Sequence, residues 1–131
     1  MAKEQVVSKQ LNRPLGVFSQ ATKIEAQGTL VFVSGLTSRA PDGTVVGVGD
    51  VKLQTETILN NMQSILQEAG GSIDDIVKVT VYIRNMKDFA AIHEVRQRYF
   101  KSPLPASTMV EVSMLVDEKL LIEIEAIAVI P

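Results

Sequence analysis

The chain lacks several residue types that common protein chemistries require. Its 131 residues include no cysteine, no tryptophan and a single histidine. Without cysteine there can be no disulfide, no thiolate metal ligand and no cysteine nucleophile. One histidine also falls short of the ligand clusters that zinc and related metals use. We therefore predict a protein with no bound metal.

Clustered charge of one sign and long apolar runs are absent as well. The formal net charge is −2, and no block of Lys or Arg stands out, whereas nucleic-acid binding relies on clustered positive charge. No apolar segment is long enough to span a bilayer. The first five residues, MAKEQ, have no apolar run typical of a signal peptide. These absences predict a cytoplasmic protein that binds neither nucleic acid nor membrane.

The length is typical of one domain, here residues 1–131, that is large enough for a real core. Helical spacing over residues 50–69 predicts a first helix, with Asp50 as its N-cap and Gly70-Gly71 as its stop. Its apolar positions are Leu53, Thr57, Met62, Ile65, Leu66 and Ala69. A second helix is predicted to begin at Asp88.

Alternating and β-branched residues predict the strands. Residues 31–33 form a short strand, 76–83 a second, and 106–115 and 120–130 two long strands paired with each other. The order β-β-α-β-α-β-β predicts an α+β fold in which two helices cover one face of a mixed sheet. The other face keeps apolar side chains at alternate positions, which indicates a partner chain.

Several segments, in the same order, resemble the RidA (YjgF) family of imine/enamine deaminases. They are Gly16-Val17-Phe18-Ser19-Gln20-Ala21, Val31-Phe32-Val33-Ser34-Gly35, Leu59-Asn60-Asn61, Asp88-Phe89-Ala90-Ala91-Ile92, and Pro105 to Val112 with Ile122 to Ala128. The resemblance implies a chorismate mutase-like fold that assembles as a trimeric barrel, with sites in clefts between subunits. It also implies cofactor-free addition of water to small imines or enamines, with release of ammonia. The family's reference substrates are 2-iminobutanoate and 2-iminopropanoate.

The chain departs from the family pattern at the position that binds the substrate carboxylate. The family has an arginine where this chain has Ser107, and a hydroxyl lacks the charged fork of a guanidinium. Phe18 replaces a tyrosine and Met109 replaces a smaller side chain, and the alternative for both is simple core packing. We therefore expect all three to line a pocket for a substrate other than the reference ones, and we expect Ser107→Arg to restore carboxylate binding.

Glu123 is the predicted catalytic carboxylate, because it matches the family glutamate that orients or activates water. It shares one strand face with Glu125, and the alternative is that both are solvated residues on an outer face. Ser34 and Gly35 are predicted to line the substrate pocket, since glycine allows close approach of the backbone. Their alternative is a plain turn after a strand.

Two residues of the second helix complete the predicted site. His93 is a candidate for proton transfer, although a histidine at the edge of an apolar stripe is often structural. Arg96 lies on the same helix face (i, i+3) and is a candidate for the positive charge that Ser107 lacks. Its alternative is a solvated helix residue, and Arg39 is a second candidate for the same role.

Two further functions compete with the deaminase. The chain could be a trimer of the same fold that binds a small metabolite without turning it over, and ammonia release would separate the two. A ribonuclease is also attached to the family's name. The acidic charge balance and the single histidine argue against it.

Overall fold

The computed structural model describes residues 3–25 and 27–131 of the chain. These residues form six strands, two α-helices and two short 3-10 turns. The elements are β1 (Glu4–Val6), β2 (Ala21–Lys23), β3 (Thr29–Leu36), α1 (Val51–Glu68), a 3-10 turn (Ile73–Asp75), β4 (Ile76–Ile83), a 3-10 turn (Met86–Asp88), α2 (Phe89–Tyr99), β5 (Ala106–Glu111) and β6 (Ile122–Ile130).

Helix α1 begins and ends where its local sequence predicts. The Asp50 carboxylate accepts a hydrogen bond from the Leu53 N–H at 3.0 Å, and Gly70 takes a φ of +91° after the last turn. The predicted apolar stripe is partly wrong, because Leu53 and Ile65 are exposed. The buried stripe is instead formed by Gln54, Thr55, Ile58, Leu59, Met62 and Leu66.

Helix α2 is entered through a 3-10 turn rather than through a side-chain cap at its first residue. The Asn85 side chain accepts a hydrogen bond from the Lys87 N–H at 2.9 Å, and the turn then leads into the helix. Asp88 occupies the N-cap position, as predicted, but its side chain makes no capping bond. The buried positions of α2 are Ile92, Val95 and Arg96.

The main sheet has the strand order β3-β6-β4-β5. The predicted pairing of the last two strands with each other is wrong, since β5 pairs in parallel with β4, and β6 lies antiparallel between β3 and β4. Helix α2 carries the chain back across the sheet, so β5 enters beside β4 in the same direction. The remaining edge of β4 is then taken by β6. Strands β1 and β2 form a separate two-stranded sheet, which adds a strand to the predicted order.

The core lies between the main sheet and the two helices. Val79, Val81 and Ile83 of β4 and Ile122 and Ile124 of β6 are buried on this inner face. The α+β architecture with two helices on a mixed sheet is therefore confirmed.

The opposite, outer face of the sheet keeps large apolar side chains in contact with solvent. Leu30 is 56% exposed and Phe32 is 70% exposed. The same face carries Tyr82, which pairs with Glu123 across the β4–β6 ladder. The outer face is thus mixed, with apolar residues on β3 and carboxylates on β6.

Candidate functional site

A cavity of about 150 Å³ lies between the segment before β2, helix α2 and the edge strand β5. We call it the Arg96 pocket. Its lining consists of Gly16, Val17, Phe18, Phe89, His93, Arg96, Ser107 and Met109. Five of the residues predicted for the site, Phe18, His93, Arg96, Ser107 and Met109, are therefore brought together around one small cavity.

Arg96 is buried at the wall of this cavity rather than solvated on the helix surface. Only 4% of the residue is exposed. Its Nη2 donates to Ser107 Oγ at 2.8 Å and to the Val17 carbonyl oxygen at 3.5 Å. Burial lowers the pKa of the guanidinium to about 10, so the group is still cationic at neutral pH. The pocket therefore contains the positive charge that Ser107 itself does not supply.

The guanidinium also packs on an aromatic ring. Its Cζ lies 5.9 Å from the centroid of Phe100, a distance at which the ring's negative face attracts a cation. Phe100 is buried at the end of α2. The ring and the bond to Ser107 together hold the guanidinium in one orientation.

His93 is positioned by a neighbouring ring on the same helix. The Phe89 and His93 rings stack with centroids 6.0 Å apart and planes 10° from parallel. Phe89 was not among the predicted site residues, although its i, i+4 spacing to His93 places the two side chains side by side on a helix. The stack fixes the imidazole at the cavity, where a ring nitrogen can donate or accept a proton.

Glu123 and Gly35 form a second group of predicted residues. A Cβ atom added at Gly35 would lie 2.9 Å from the Glu123 Cδ and closer still to its carboxylate. Glycine at this position leaves room for the carboxylate, which lies directly over the backbone. Ser34, the residue before it, is exposed.

The neighbouring carboxylate, Glu125, is held by a tyrosine. The Tyr82 hydroxyl donates to Glu125 Oε1 at 2.6 Å. Only the neutral phenol can donate this hydrogen bond, which is the main reason that the pKa of Tyr82 is raised. Tyr82 was not predicted as a site residue. The alternation of β4 places it on the face opposite Val81 and Ile83, and this is the signal in the sequence that points to it.

One chain does not bring Glu123 to the Arg96 pocket. Ser107 pairs with Val79, which is on the inner face, whereas Glu123 pairs with Tyr82 on the outer face. Successive strand residues point to opposite faces, so the two groups lie on opposite sides of the sheet. Joining them in one site requires a second subunit.

Arg39 does not reach the Arg96 pocket either. It lies in a separate hollow with Gly35, Leu36, Asn61 and Ile65, and its Nη1 donates to the Gly43 carbonyl at 2.8 Å. Of the two arginines considered for the missing charge, only Arg96 is therefore in contact with Ser107.

Two general features of the described residues bear on the class of site. Residues 3–25 and 27–131 contain no group of three or more His, Asp or Glu side chains placed to hold a metal ion. None of the helices in this part of the chain is both long and apolar enough to cross a membrane.

The fold matches that of solved Rid proteins. The crystal structure of the Rid family protein YyfB from Yersinia pestis superposes with a TM-score of 0.89 at 27% sequence identity, covering 99% of this chain and 100% of that one. The fold is therefore that of the Rid class of proteins.

The sequence comparisons identify the family. A family model described as Endoribonuclease L-PSP matches residues 9–130. A RutC family protein of Pyrococcus abyssi is 43% identical over 98% of both chains. The 3-aminoacrylate deaminase RutC of Acinetobacter baylyi is 35% identical over 98% of both chains, and the 2-iminobutanoate/2-iminopropanoate deaminase of Dermatophagoides farinae is 32% identical over 99% of both chains. The chain belongs to this family, and the predicted membership of the RidA (YjgF) family is confirmed.

Proposed function

We propose that this protein is a cofactor-independent deaminase that hydrolyses a small imine or enamine. The observation that carries the proposal is the Arg96 pocket, in which a buried cation, the Ser107 hydroxyl and the His93 imidazole surround one cavity of about 150 Å³. Such a cavity suits a small metabolite with one polar end. Relatives that cover nearly the whole chain are named as deaminases of an imine and of an enamine, which supports this reaction class.

The reaction needs a water molecule, a proton acceptor and a proton donor. The water oxygen adds to the carbon of the C=N bond and transfers a proton to Glu123. The nitrogen gains a proton, for which the His93 imidazole at the cavity is our candidate donor. The resulting carbinolamine collapses to a carbonyl: Glu123 returns its proton to the leaving nitrogen, the C–N bond breaks to release ammonia, and the hydroxyl proton passes to His93. An enamine enters the same sequence after it tautomerises to the imine.

A trimer would supply the geometry that one chain lacks. Packing of the outer sheet face against another copy would cover the exposed Leu30 and Phe32, because a large apolar patch is typical of an interface. We propose that this assembly brings Glu123 of one subunit to the Arg96 pocket of the next, with Ser34 and Gly35 beside it. The site would then lie between subunits.

The proposed substrate differs from 2-iminobutanoate and 2-iminopropanoate. Phe18, Phe89 and Met109 give the pocket a partly apolar lining, and the Ser107 side chain is much shorter than the family's arginine. This lining favours a compound with a larger apolar part than the reference substrates.

A non-catalytic metabolite-binding trimer is the second candidate. It is favoured by one observation, namely that the Arg96 pocket is complete within one chain while Glu123 lies on the other face of the sheet. Binding of a metabolite would need the Arg96 pocket but not Glu123.

The test is release of ammonia from imines generated in place by an amino acid oxidase, with 3-aminoacrylate as the enamine. We expect release above the buffer rate for at least one compound, with 2-iminobutanoate among the slower ones. Glu123→Gln should lower the rate by about 10²–10⁴-fold, the usual contribution of a proton-transfer group. Glu118→Gln, at an exposed loop residue, is the matched control. If no compound exceeds the buffer rate although the wild type binds 2-oxo acids, the protein is a binder and not a deaminase.

A further inference from the structure

Within residues 3–25 and 27–131, Arg96 is a buried cation without an anionic partner. It is 4% exposed, and none of the four ion pairs among the described residues includes it. Its lowered pKa has burial as its cause, with no carboxylate to offset it. Buried charges are normally paired, so an anion that is absent from the free chain would complete this arrangement.

The hydrogen bonds of the guanidinium show which of its atoms are available. Nη2 is used by Ser107 Oγ and by the Val17 carbonyl, while Nε and Nη1 have no partner in the described part of the chain. No fully buried side-chain nitrogen or oxygen there lacks a partner. Nε and Nη1 are therefore accessible to solvent, and Arg96 lines the cavity.

We propose that Arg96 binds the carboxylate of the ligand in this pocket, and that Ser107 positions the guanidinium by accepting its Nη2–H. The inference deepens the proposed function and rests on it for the class of ligand, a small 2-imino or 2-oxo acid. A guanidinium with two available N–H groups can form the two parallel hydrogen bonds that a carboxylate accepts.

The location of the charge affects which acids fit. An arginine at position 107 would place its guanidinium several bonds out from the strand, whereas the Arg96 guanidinium lies at the level of the Ser107 hydroxyl, 2.8 Å away. The carboxylate is therefore bound deeper, beside α2. The space above it, next to Phe18 and Met109, is left for the remainder of the acid. Arg96 and Ser107 together therefore determine which acids the pocket binds.

The experiment is calorimetric titration of 2-oxobutanoate, a stable analogue of the imino acid, into the assembled protein. We expect Arg96→Gln to weaken binding by about ten- to a hundredfold, the usual effect of losing a hydrogen bond to a charged group. Arg98→Gln is the matched control, because Arg98 lies on the same helix but is exposed and paired with Glu56 at 2.7 Å. The affinity of Arg98→Gln for 2-oxobutanoate should equal that of the wild type. Binding by Arg96→Gln within twofold of the wild type would overturn the proposal.

Arg96→Gln also removes contacts to Val17 and Phe100, so folding must be checked by circular dichroism and sedimentation. If that variant does not fold, the wild type alone still decides the question. We expect 2-oxobutanoate to bind and its uncharged amide to bind at least tenfold more weakly. Equal binding of acid and amide contradicts recognition of the charge. Tighter binding of inorganic phosphate than of 2-oxobutanoate contradicts the choice of a carboxylate.

The outcomes separate this inference from the proposed function. If Arg96→Gln releases ammonia with an unchanged KM, the protein is a deaminase but Arg96 does not bind the substrate carboxylate. If the wild type binds 2-oxobutanoate through Arg96 but releases no ammonia from any imine or enamine, the role of Arg96 stands and the deaminase falls.

Discussion

Gly35→Ala should abolish most activity while leaving the fold nearly as stable as that of the wild type. The new Cβ would lie 2.9 Å from the Glu123 Cδ, closer than real Cβ contacts come, and at a tight 3.2 Å from its Cγ. Glu123 is half-buried on the outer face, so its side chain can rotate away. The substitution therefore displaces the proposed catalytic carboxylate without changing its chemistry.

Two opposing terms set the change in the free energy of unfolding. The φ of Gly35 lies outside the left-handed region, so alanine is compatible there and gains about 0.4–1 kcal/mol by restricting the unfolded chain. Forcing Glu123 into a poorer rotamer costs about 0.5–1.5 kcal/mol. The net change should thus be within about 1 kcal/mol. A displaced general base should lower the rate by about 10²–10⁴-fold.

The assay compares ammonia release and urea unfolding for Gly35→Ala, Glu123→Gln and the double variant. Since both changes act through one carboxylate, the double variant should be little slower than Glu123→Gln alone. Gly71→Ala is a useful contrast, because its Cβ would lie 2.6 Å from the Ile130 Cγ1. Overpacking there should cost about 1–3 kcal/mol of stability and leave the rate per folded molecule unchanged.

Two results would refute the reasoning about Gly35. One is a folded Gly35→Ala variant with the wild-type rate, which would show that the position of Glu123 does not matter. The other is a loss of activity in Gly35→Ala that adds in full to the loss in Glu123→Gln. That result would assign the effect to the backbone rather than to the carboxylate.

Three further substitutions test the packing, the assembly and the pocket. Gln54→Leu should lower the free energy of unfolding by about 3–5 kcal/mol, because the buried amide bonds to three backbone groups; a loss below about 1 kcal/mol in urea unfolding would contradict this. In sedimentation, we expect the wild type to be the proposed trimer, Phe32→Asp on the exposed outer face to be dissociated, and Gln67→Asp on α1 to remain a trimer. Ser107→Arg alone should lower the Tm rather than restore carboxylate binding, because the new guanidinium would lie next to that of Arg96. Adding Arg96→Gln should raise the Tm again. A wild-type Tm for Ser107→Arg alone would contradict this prediction.

Local sequence predicted the elements that depend on neighbouring residues. Helix α1 follows from the Asp50 cap and from Gly70, and strand β4 spans Ile76–Ile83 as its alternation predicts. The gathering of His93 and Arg96 on one side of a pocket follows from helical spacing. Ser107 and Met109 point together because strand residues two apart share a face.

Pairing and burial could not be predicted in the same way, because they depend on segments distant in sequence. The partner of β5 was mispredicted, since alternation marks a strand but not its neighbour. The stripe of α1 was partly mispredicted, because an apolar residue such as Leu53 stays exposed where no other element covers it.

The sequence by itself determined the family, the α+β architecture and five of the eight residues around the cavity, since these follow from motifs and periodicity within single segments. Only the tertiary structure decided the position of the Arg96 guanidinium. Whether Arg96 is solvated or buried depends on Val17, Phe100 and Ser107, which come from three separate parts of the chain. The separation of Glu123 from the pocket likewise follows from the pairing of β6 with β4, a long-range contact that no local pattern encodes.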